Sequence, residues 1–285
     1  MNVKTGRKKF WLLTTSAIFF IFSLISVIEN SLYRVEDYFV YKSMITVAGK
    51  AEACTDISPR PTLALAEENK RKVCALFMNG GNHNKLPREI KEFVNLEELY
   101  LASNLLTSLP KEISSLKIRK LDLGKNQFLK IPSSVFDLIY LEKLETGFNR
   151  IRMLQRDINK LKNLKYLSLN KNKIILLPKT LGELKKLEYL ELGNNNLERL
   201  PDEIGNLSNL KELYLYSNKL EEIPPEIGSL KNLKNLDLSF NQLKNLPAEI
   251  KDLTNLAKIN IKGNPLSEKE LSDIKYNLPR TEIIF

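Results

Sequence analysis

Apolar residues recur along most of the chain at two alternating spacings. Pairs of leucines two residues apart, such as Leu190 and Leu192, are separated by a polar residue, and this period is typical of a β-strand. Each pair is followed by an asparagine, a Leu-Pro step and an I-x-x-L segment, whose spacing is typical of a short helical turn. The frame L-x-x-L-x-L-x-x-N-x-L-x-x-L-P-x-x-I-x-x-L is complete over residues 187–209. It predicts a strand and then a helical turn.

The same frame returns with a nearly constant period. Its asparagines are in phase, 22 residues apart at the first interval and 23 at each later one. They are Asn104, Asn126, Asn149, Asn172, Asn195, Asn218, Asn241 and Asn264. A degenerate unit precedes them, starting at Val73, with Gly81 in the place of the asparagine. Because such a unit cannot bury its apolar side chains alone, about nine units are expected to stack into a solenoid with one parallel sheet.

These residues resemble leucine-rich repeats of the 23-residue type common in bacterial exported proteins. The resemblance covers residues 73–266. It implies an α/β solenoid with a curved parallel sheet on the concave face and short helical turns on the convex face. It also implies that the in-phase asparagines are buried and bind backbone groups of their own unit and of the neighbouring one.

Two units depart from the frame. The unit at 141–163 has Thr146 in the place of the second strand leucine and Gln155 in the place of the proline. We expect a weak point or a bend of the stack there. The unit at 96–117 is one residue short, so its convex segment is expected to be tighter.

A segment without charged residues runs from Phe10 to Ile28. Its 19 residues are close to the ~20 that a helix needs to cross a bilayer. Four basic residues precede it and acidic residues follow, which predicts a cytoplasmic N-terminus and an exported repeat region. We interpret residues 1–28 as an uncleaved signal-anchor. A cleaved signal peptide, leaving a secreted protein, and a buried helix of a soluble protein are the alternatives.

The repeats need caps, because an exposed end of the stack would leave core and strand edge uncovered. Residues 29–72 are interpreted as a linker and an N-terminal cap, with a short helix from Ala64 to Lys72. Residues 267–285 are interpreted as a C-terminal cap. There, the capping-box pattern Ser267 to Glu270 predicts a helix to about Asn277, followed by a short strand. No further catalytic or signalling domain is expected after it.

Charge and composition restrict the chemistry. The formal net charge is +10, but four of those charges lie before residue 10, and elsewhere Lys and Glu interleave. This favours a mixed solvated surface over a nucleic-acid footprint. His83 is the single histidine and there are two cysteines, too few for a zinc site of Cys and His ligands. No metal or cofactor is expected.

The two cysteines, Cys54 and Cys74, both fall near the start of the repeats. In an exported protein they could form a disulfide that closes a loop of about 20 residues and contributes ~3 kcal/mol. Two free or buried thiols are the alternative.

Positions three, five, seven and eight of each unit flank the strand leucines and are expected to face the concave side. Aromatic residues at these positions are Phe77, Tyr100, Phe148, Tyr166, Tyr189, Tyr214, Tyr216 and Phe240. Because Tyr and Phe are enriched in interface cores, this set predicts a protein or peptide partner. The alternative is that they only pack against cross-strand neighbours. Of the run Asn194 to Asn196, the first is expected on the concave face, the second buried and the third towards solvent.

Catalysis is weighed and set aside. Asp122, Glu145 and Glu191 could converge, and paired carboxylates act in glycoside hydrolysis, but they lie on an open face. His83 has no evident nucleophile beside it. The sequence therefore predicts an exported, membrane-tethered binding protein and no enzyme. A structural envelope protein with carbohydrate contacts and a cytoplasmic scaffold are the alternatives.

Overall fold

The computed structural model describes residues 70–285, which lie in one compact unit. The predicted signal or anchor helix, most of the linker and Cys54 lie outside the described residues. The disulfide with Cys74 therefore stays a prediction. Within residues 70–285, no helix has the length and apolar character needed to cross a membrane.

The described residues form one parallel sheet whose strands follow chain order. Its ten strands are β1 (Ala75–Phe77), β2 (Glu98–Tyr100), β3 (Lys120–Asp122), β4 (Lys143–Glu145), β5 (Tyr166–Ser168), β6 (Tyr189–Glu191), β7 (Glu212–Tyr214), β8 (Asn235–Asp237), β9 (Lys258–Asn260) and β10 (Glu282–Ile284). The register joins equivalent positions of successive units, as in Tyr166 opposite Tyr189. A column of equivalent residues therefore lies on neighbouring strands, about 4.8 Å apart.

The return segments are short 3₁₀ helices. They span Lys70–Lys72, Arg88–Glu92, Lys111–Ser115, Ser133–Val135, Arg156–Lys160, Lys179–Glu183, Asp202–Asn206, Pro225–Ser229 and Ala248–Asp252. Most begin after a proline, such as Pro201 with φ −72°, because the ring fixes φ at a value that suits helix entry. The Ile204 N–H donates to the carbonyl of Pro201, three residues earlier, at 2.9 Å, which is the 3₁₀ hydrogen-bond pattern. The predicted helical turns are thus of the 3₁₀ kind.

The core lies between the sheet and the 3₁₀ helices. In the complete unit, Leu190 and Leu192 of the strand side and Ile204 and Leu207 of the helical side are all fully buried. Each buried leucine contributes roughly 1.5–3 kcal/mol relative to an exposed one. Since every unit repeats this set, the units stabilise one another through a single continuous core.

The irregular unit at 141–163 keeps its place in the sheet. Thr146 is 1% exposed, and its hydroxyl donates to the Ser168 carbonyl at 3.2 Å, which satisfies a polar group in a leucine position. The Gln155 amide donates to the Ile131 carbonyl at 2.6 Å. Strand β4 pairs with its neighbours in an unbroken register. The departures therefore do not interrupt the strand pairing.

The short unit at 96–117 differs after its 3₁₀ helix. Leu116 has ψ 155°, whereas the equivalent Leu207 has ψ 64°. Leu116 thus extends directly towards the next strand, because the missing residue removes a turn position. The convex segment is shortened at this point and not within the 3₁₀ helix.

An α-helix and a strand end the chain. Helix α1 spans Glu268–Asn277, and the Ser267 hydroxyl at its N-cap accepts a hydrogen bond from the Glu270 N–H at 3.2 Å. Ile274 of this helix is buried against the last units. Strand β10 pairs with β9, so it covers the edge of β9.

Candidate functional site on the open face of the sheet

The side chains of positions three and five lie on the face of the sheet opposite the leucine core. We call this face, predicted to be concave, the open face. Most of its side chains are half-buried, because neighbours on adjacent strands cover part of each. Those on the central strands are in contact from one strand to the next. The open face is therefore a continuous polar and aromatic surface.

Three tyrosines form the centre of this surface. The rings of Tyr166 and Tyr189 stack with centroids 4.1 Å apart and planes 7° apart. Tyr214 lies diagonally beyond them, 5.4 Å from the Tyr189 centroid at an interplanar angle of 47°. We call Tyr166, Tyr189 and Tyr214 the tyrosine cluster. Stacked and tilted geometries of this kind are favourable beyond the burial of area, so the rings hold each other in place.

Carboxylates fix the phenol groups around the cluster. The Tyr214 hydroxyl donates to Glu212 at 2.6 Å, and the Tyr216 hydroxyl donates to Glu191 at 3.3 Å. Burial raises the pKa of Tyr189 and of Tyr214, and Glu212 raises the pKa of Tyr214 further. The phenols therefore stay protonated and act as hydrogen-bond donors across the physiological pH range.

Tyr216 depends on a glycine in the preceding unit. A side chain at Gly193 would place its Cβ 2.3 Å from the Tyr216 ring. The ring thus lies directly on the Gly193 backbone. Sequence reasoning counted Tyr216 as a surface residue but missed the glycine that makes room for it.

Lys143 shows how this surface holds a cation. Its ammonium lies 4.4 Å from the Tyr166 ring centroid and 2.6 Å from a carboxylate oxygen of Glu145. Burial is the largest single influence on the pKa of Lys143 and lowers it, but the hydrogen bond and the negative charge of Glu145, with a smaller contribution from Asp122, together raise the pKa above its ordinary value. The lysine thus combines a cation–π contact with a charge-assisted hydrogen bond.

The remaining predicted aromatic residues lie apart from the cluster. Phe77 and Tyr100 stack at 4.5 Å on β1 and β2, where Tyr100 donates to Glu98 at 2.8 Å. Phe148 and Phe240 are 43% and 56% exposed and follow their strands with φ near +55°. The ring contacts thus form two groups, Phe77 with Tyr100 and the tyrosine cluster, and the binding role of the eight residues stays a prediction.

Position five is the acidic column of the open face. Asp122, Glu191 and Asp237 make no ion pair with any residue from 70 to 285. Burial raises the pKa of Asp122, and the charge of Glu145 on the next strand adds to the rise. Asp122 accepts a hydrogen bond from the Gly124 N–H at 2.9 Å, and Glu191 accepts one from Ser168 at 2.7 Å. These carboxylates are oriented by the fold, and none of them is paired directly with a cation in this part of the chain.

The in-phase asparagines lie at the edge of the core, at position nine. The Asn195 side-chain oxygen accepts from the Ile174 N–H at 3.0 Å, and its amide donates to the carbonyls of Leu169 at 3.0 Å and Leu192 at 2.9 Å. Each other asparagine of the column makes equivalent bonds within its own unit and to the preceding one. All are buried except Asn264, which is half-buried in the last unit.

Asn194 and Asn196 flank this column. Asn194 is half-buried at position eight with φ +55°. Asn196 is also half-buried, and its N–H donates to the Ile174 carbonyl at 2.9 Å. The backbone of this segment is thus tied to the preceding unit, and the direction of the Asn196 side chain towards solvent stays a prediction.

The other residues weighed for chemistry are tied to the scaffold. The His83 N–H donates to the Asn104 side chain at 3.0 Å, and its Nε2 is buried without a partner. Among residues 70–285, no group of three or more His, Cys, Asp and Glu side chains is arranged to hold a metal ion.

Comparison with known proteins identifies the repeats. Family models match at residues 149–220 (leucine-rich repeat region), 208–266 (leucine rich repeat) and 95–116 (leucine rich repeat). A search of curated protein sequences gives no match. Together with the fold, these matches show that the chain carries leucine-rich repeats, a class of solenoid that presents extended binding surfaces.

Solved structures agree. A leucine-rich-repeat protein of Leptospira interrogans is 40% identical with a TM-score of 0.74, over 75% of this chain and 55% of that one. The plant peptide hormone receptor RGFR1, in complex with RGF2, is 31% identical with a TM-score of 0.65, over 75% of this chain and 36% of the receptor. The ectodomain of an Arabidopsis thaliana membrane receptor kinase, in complex with Casparian strip integrity factor 2, is 28% identical with a TM-score of 0.59, over 75% and 30%. The chain thus spans about half of the bacterial protein and about a third of each plant protein.

Proposed function

We propose that this protein binds an extended protein or peptide segment on the open face, with the tyrosine cluster at the centre of the contact. The observation that carries the proposal is the stack of Tyr166, Tyr189 and Tyr214 on a face that the described residues leave open. Tyrosines supply large contact area at little conformational cost, and these three are already held by one another. A partner therefore meets a preorganised surface.

The charge of the open face defines the chemistry of the partner. Asp122, Glu191 and Asp237 carry negative charge without an ion pair in the described part of the chain, although the whole chain is basic. Lys143, between Tyr166 and Glu145, shows how a cationic side chain is held there. The best match is a segment with Lys or Arg side chains, which can make cation–π contacts and charge-assisted hydrogen bonds.

Similar proteins support this reading of the surface. Two of the plant structures are complexes, one of a peptide hormone receptor with RGF2 and one of a receptor kinase ectodomain with an integrity factor. Their repeats match three quarters of this chain. Recognition of a protein or peptide ligand is thus an activity for which this type of repeat is suited.

Export and tethering form the second half of the proposal. The uncharged segment at 10–28, with basic residues before it and acidic residues after it, supports a membrane anchor that places the repeats outside the cytoplasm. Cell fractionation with protease accessibility tests this. We expect the repeats in the membrane fraction and open to external protease. Recovery in the cytoplasm would favour a scaffold there.

The binding half is tested by substituting Tyr166, Tyr189 and Tyr214 together with alanine in the full chain. Proteins captured by the native chain are identified and their affinities measured. We expect Tyr189→Ala alone to weaken binding by at least about tenfold, which is about 1.4 kcal/mol, and the triple variant to abolish it. Tyr276→Ala is the matched control, because Tyr276 is 86% exposed on helix α1 and lies away from the sheet. Unchanged affinity in a folded triple variant contradicts the proposal.

A further inference from the structure

Three consecutive units share an unusual flank beside the sheet. We define the basic flank as residues 125–130, 148–153 and 171–176, the segments that follow β3, β4 and β5. Backbone hydrogen bonds hold them side by side, with the Arg150 N–H donating to the Phe128 carbonyl at 2.9 Å and the Lys173 N–H to the Ile151 carbonyl at 2.8 Å. Equivalent side chains of the three segments therefore lie on adjacent rungs of the solenoid.

The charge of the basic flank is of one sign. Its cations are Lys125, Lys130, Arg150, Arg152, Lys171 and Lys173. All six are exposed, and the three segments contain no acidic residue. None of the six makes an ion pair with a residue in the range 70–285. Because no acidic side chain in these segments neutralises the positive charge of the flank, the flank attracts an anionic partner.

Large apolar side chains are exposed between these cations. Leu129 and Met153 are each 63% exposed, and Ile175, Leu176 and Phe148 are 46%, 45% and 43% exposed. They are additional to the core, because Phe128, Ile151 and Ile174 of the same segments are buried. An apolar patch of this kind, surrounded by charge, marks a surface that contacts something other than water.

We propose that the basic flank binds an anionic membrane surface. The cations contact lipid phosphates and other anionic headgroup oxygens, while Leu129, Met153, Ile175 and Leu176 enter the boundary between headgroups and acyl chains. Basic residues alone would also suit a nucleic acid. However, single-stranded nucleic acids are bound by stacking on aromatic rings, and the apolar residues here are mostly aliphatic. Phe148, the one exposed aromatic side chain of the flank, lies between the Lys125 and Lys171 ammonium groups, 5.5 Å and 4.4 Å from its centroid.

The next three units supply an internal control. Their equivalent segments, 194–199, 217–222 and 240–245, contain three basic and three acidic residues. Phe240 is their one exposed large apolar residue. The flank thus changes from basic and apolar to neutral and polar along one solenoid, and the membrane contact is confined to the first three of these units. The proposal rests neither on the anchor at 10–28 nor on the open face.

The experiment places one fluorescent probe on the basic flank and another at the equivalent position of the later, neutral units. In the full chain, Trp11→Phe removes the native tryptophan, and either Met153→Trp or Glu222→Trp adds one at the same position of two units. Vesicles of phosphatidylcholine, with or without phosphatidylglycerol, carry brominated acyl chains that quench tryptophan at the membrane boundary. Because both proteins contain residues 10–28, any anchoring by that segment affects both probes alike.

We expect the Met153→Trp probe to shift to shorter wavelength and to be quenched on vesicles with phosphatidylglycerol, and the Glu222→Trp probe to stay unquenched. Adding Arg150→Glu, Arg152→Glu and Lys173→Glu should remove at least nine tenths of the quenching, whereas Lys219→Glu with Lys244→Glu should leave it. Equal quenching of both probes, or no response of the Met153→Trp probe to anionic vesicles, overturns the proposal. A response of that probe to a single-stranded oligonucleotide but not to vesicles also overturns it, in favour of nucleic acid.

Discussion

Positions eight and nine are neighbours in the chain, yet the fold constrains the backbone at one of them and the side chain at the other. At position nine, Asn149 and Asn195 are buried and their side chains bind backbone groups. At position eight, Phe148 and Asn194 differ in size, chemistry and exposure, but both have φ near +55°. Position nine therefore requires one side chain, whereas position eight requires one backbone conformation.

The hydrogen bonds explain this difference. The backbone N–H of Phe148 donates to the Asn170 carbonyl of the next unit at 2.9 Å, and the same bond recurs in other units, as from Asn194 to Tyr216. The backbone of position eight is thus fixed while its side chain points away from the core. A bulky residue in the left-handed region raises the free energy of the folded state by of order 1 kcal/mol or more. The hydrogen bonds and packing of the surrounding units offset this cost. A solenoid can therefore vary its surface only where the scaffold uses main-chain atoms alone.

The largest expected effect comes from removing a position-nine side chain. Asn195→Ala should lower the free energy of unfolding by about 2 kcal/mol, because it leaves the Ile174 N–H buried without a partner. It also removes one of the two amide donors to the Leu169 and Leu192 carbonyls, which keep Asn172 and Asn218 as donors. Equilibrium unfolding in urea measures this. Asn194→Ala, one residue earlier, should cost less than about 1 kcal/mol. Equal losses at the two sites would remove the distinction between the columns.

A smaller effect should come from relieving the backbone at position eight. Phe148→Gly is expected to be more stable than Phe148→Ala by about 1 kcal/mol, because glycine adopts φ +57° without the Cβ penalty. Thermal unfolding of the two variants measures the difference. At exposed Lys160 in a 3₁₀ helix, the order should be reversed, with alanine the more stable. If the alanine variant were more stable than the glycine variant at both sites, the conformation of position eight would not be imposed by the fold.

The smallest expected effect concerns pH and the acidic column of the open face. Burial raises the pKa of Asp122 above its unfolded value, so the native state binds its proton more tightly and ionised Asp122 destabilises the fold. This cost is present above the raised pKa and disappears as pH falls through it. Asp122→Asn keeps an oxygen for the Gly124 N–H and should therefore give a small gain in stability at neutral pH.

The gain in the free energy of unfolding from Asp122→Asn should shrink as the solution is acidified. Unfolding of both proteins in urea at several pH values measures this change. A constant difference between the two proteins at every pH would show that the charge of Asp122 is not its source. A loss at neutral pH would show that the carboxylate stabilises the native state, contrary to its position on the open face.

The sequence predicted the scaffold better than the surface. The phase of the asparagines was enough to place Asn195 beside its equivalents, because burial and hydrogen bonding repeat with the chain. The sequence pattern did not predict the backbone conformation of Phe148 and Phe240. Both residues occupy position eight, directly after the strand segment, and have positive φ. A letter pattern gives the position of a residue and not its backbone conformation. The stacking of Tyr166 on Tyr189 followed from register, whereas the tilt of Tyr214 depends on rotamers.

The basic flank shows a signal that was present in the sequence but was not used. Over the whole chain and along most short runs, Lys and Glu alternate, so no patch of one sign is evident there. The segments at 125–130, 148–153 and 171–176 are each too short to stand out. Their common sign becomes visible only when positions eight to thirteen are compared between units, because stacking brings together residues that are 23 apart.

The partners of the asparagine column have a consequence for how such a protein can evolve. Every bond that Asn172 or Asn195 makes to the preceding unit ends on a main-chain atom, which is the same whatever side chains that unit carries. A gene segment encoding one unit can therefore be duplicated or lost, and the new neighbours will find the same donors and acceptors. Tyr216 is different, because it needs the glycine of the unit before it. The unit that contains Tyr216 and the unit that contains Gly193 can therefore be duplicated only together.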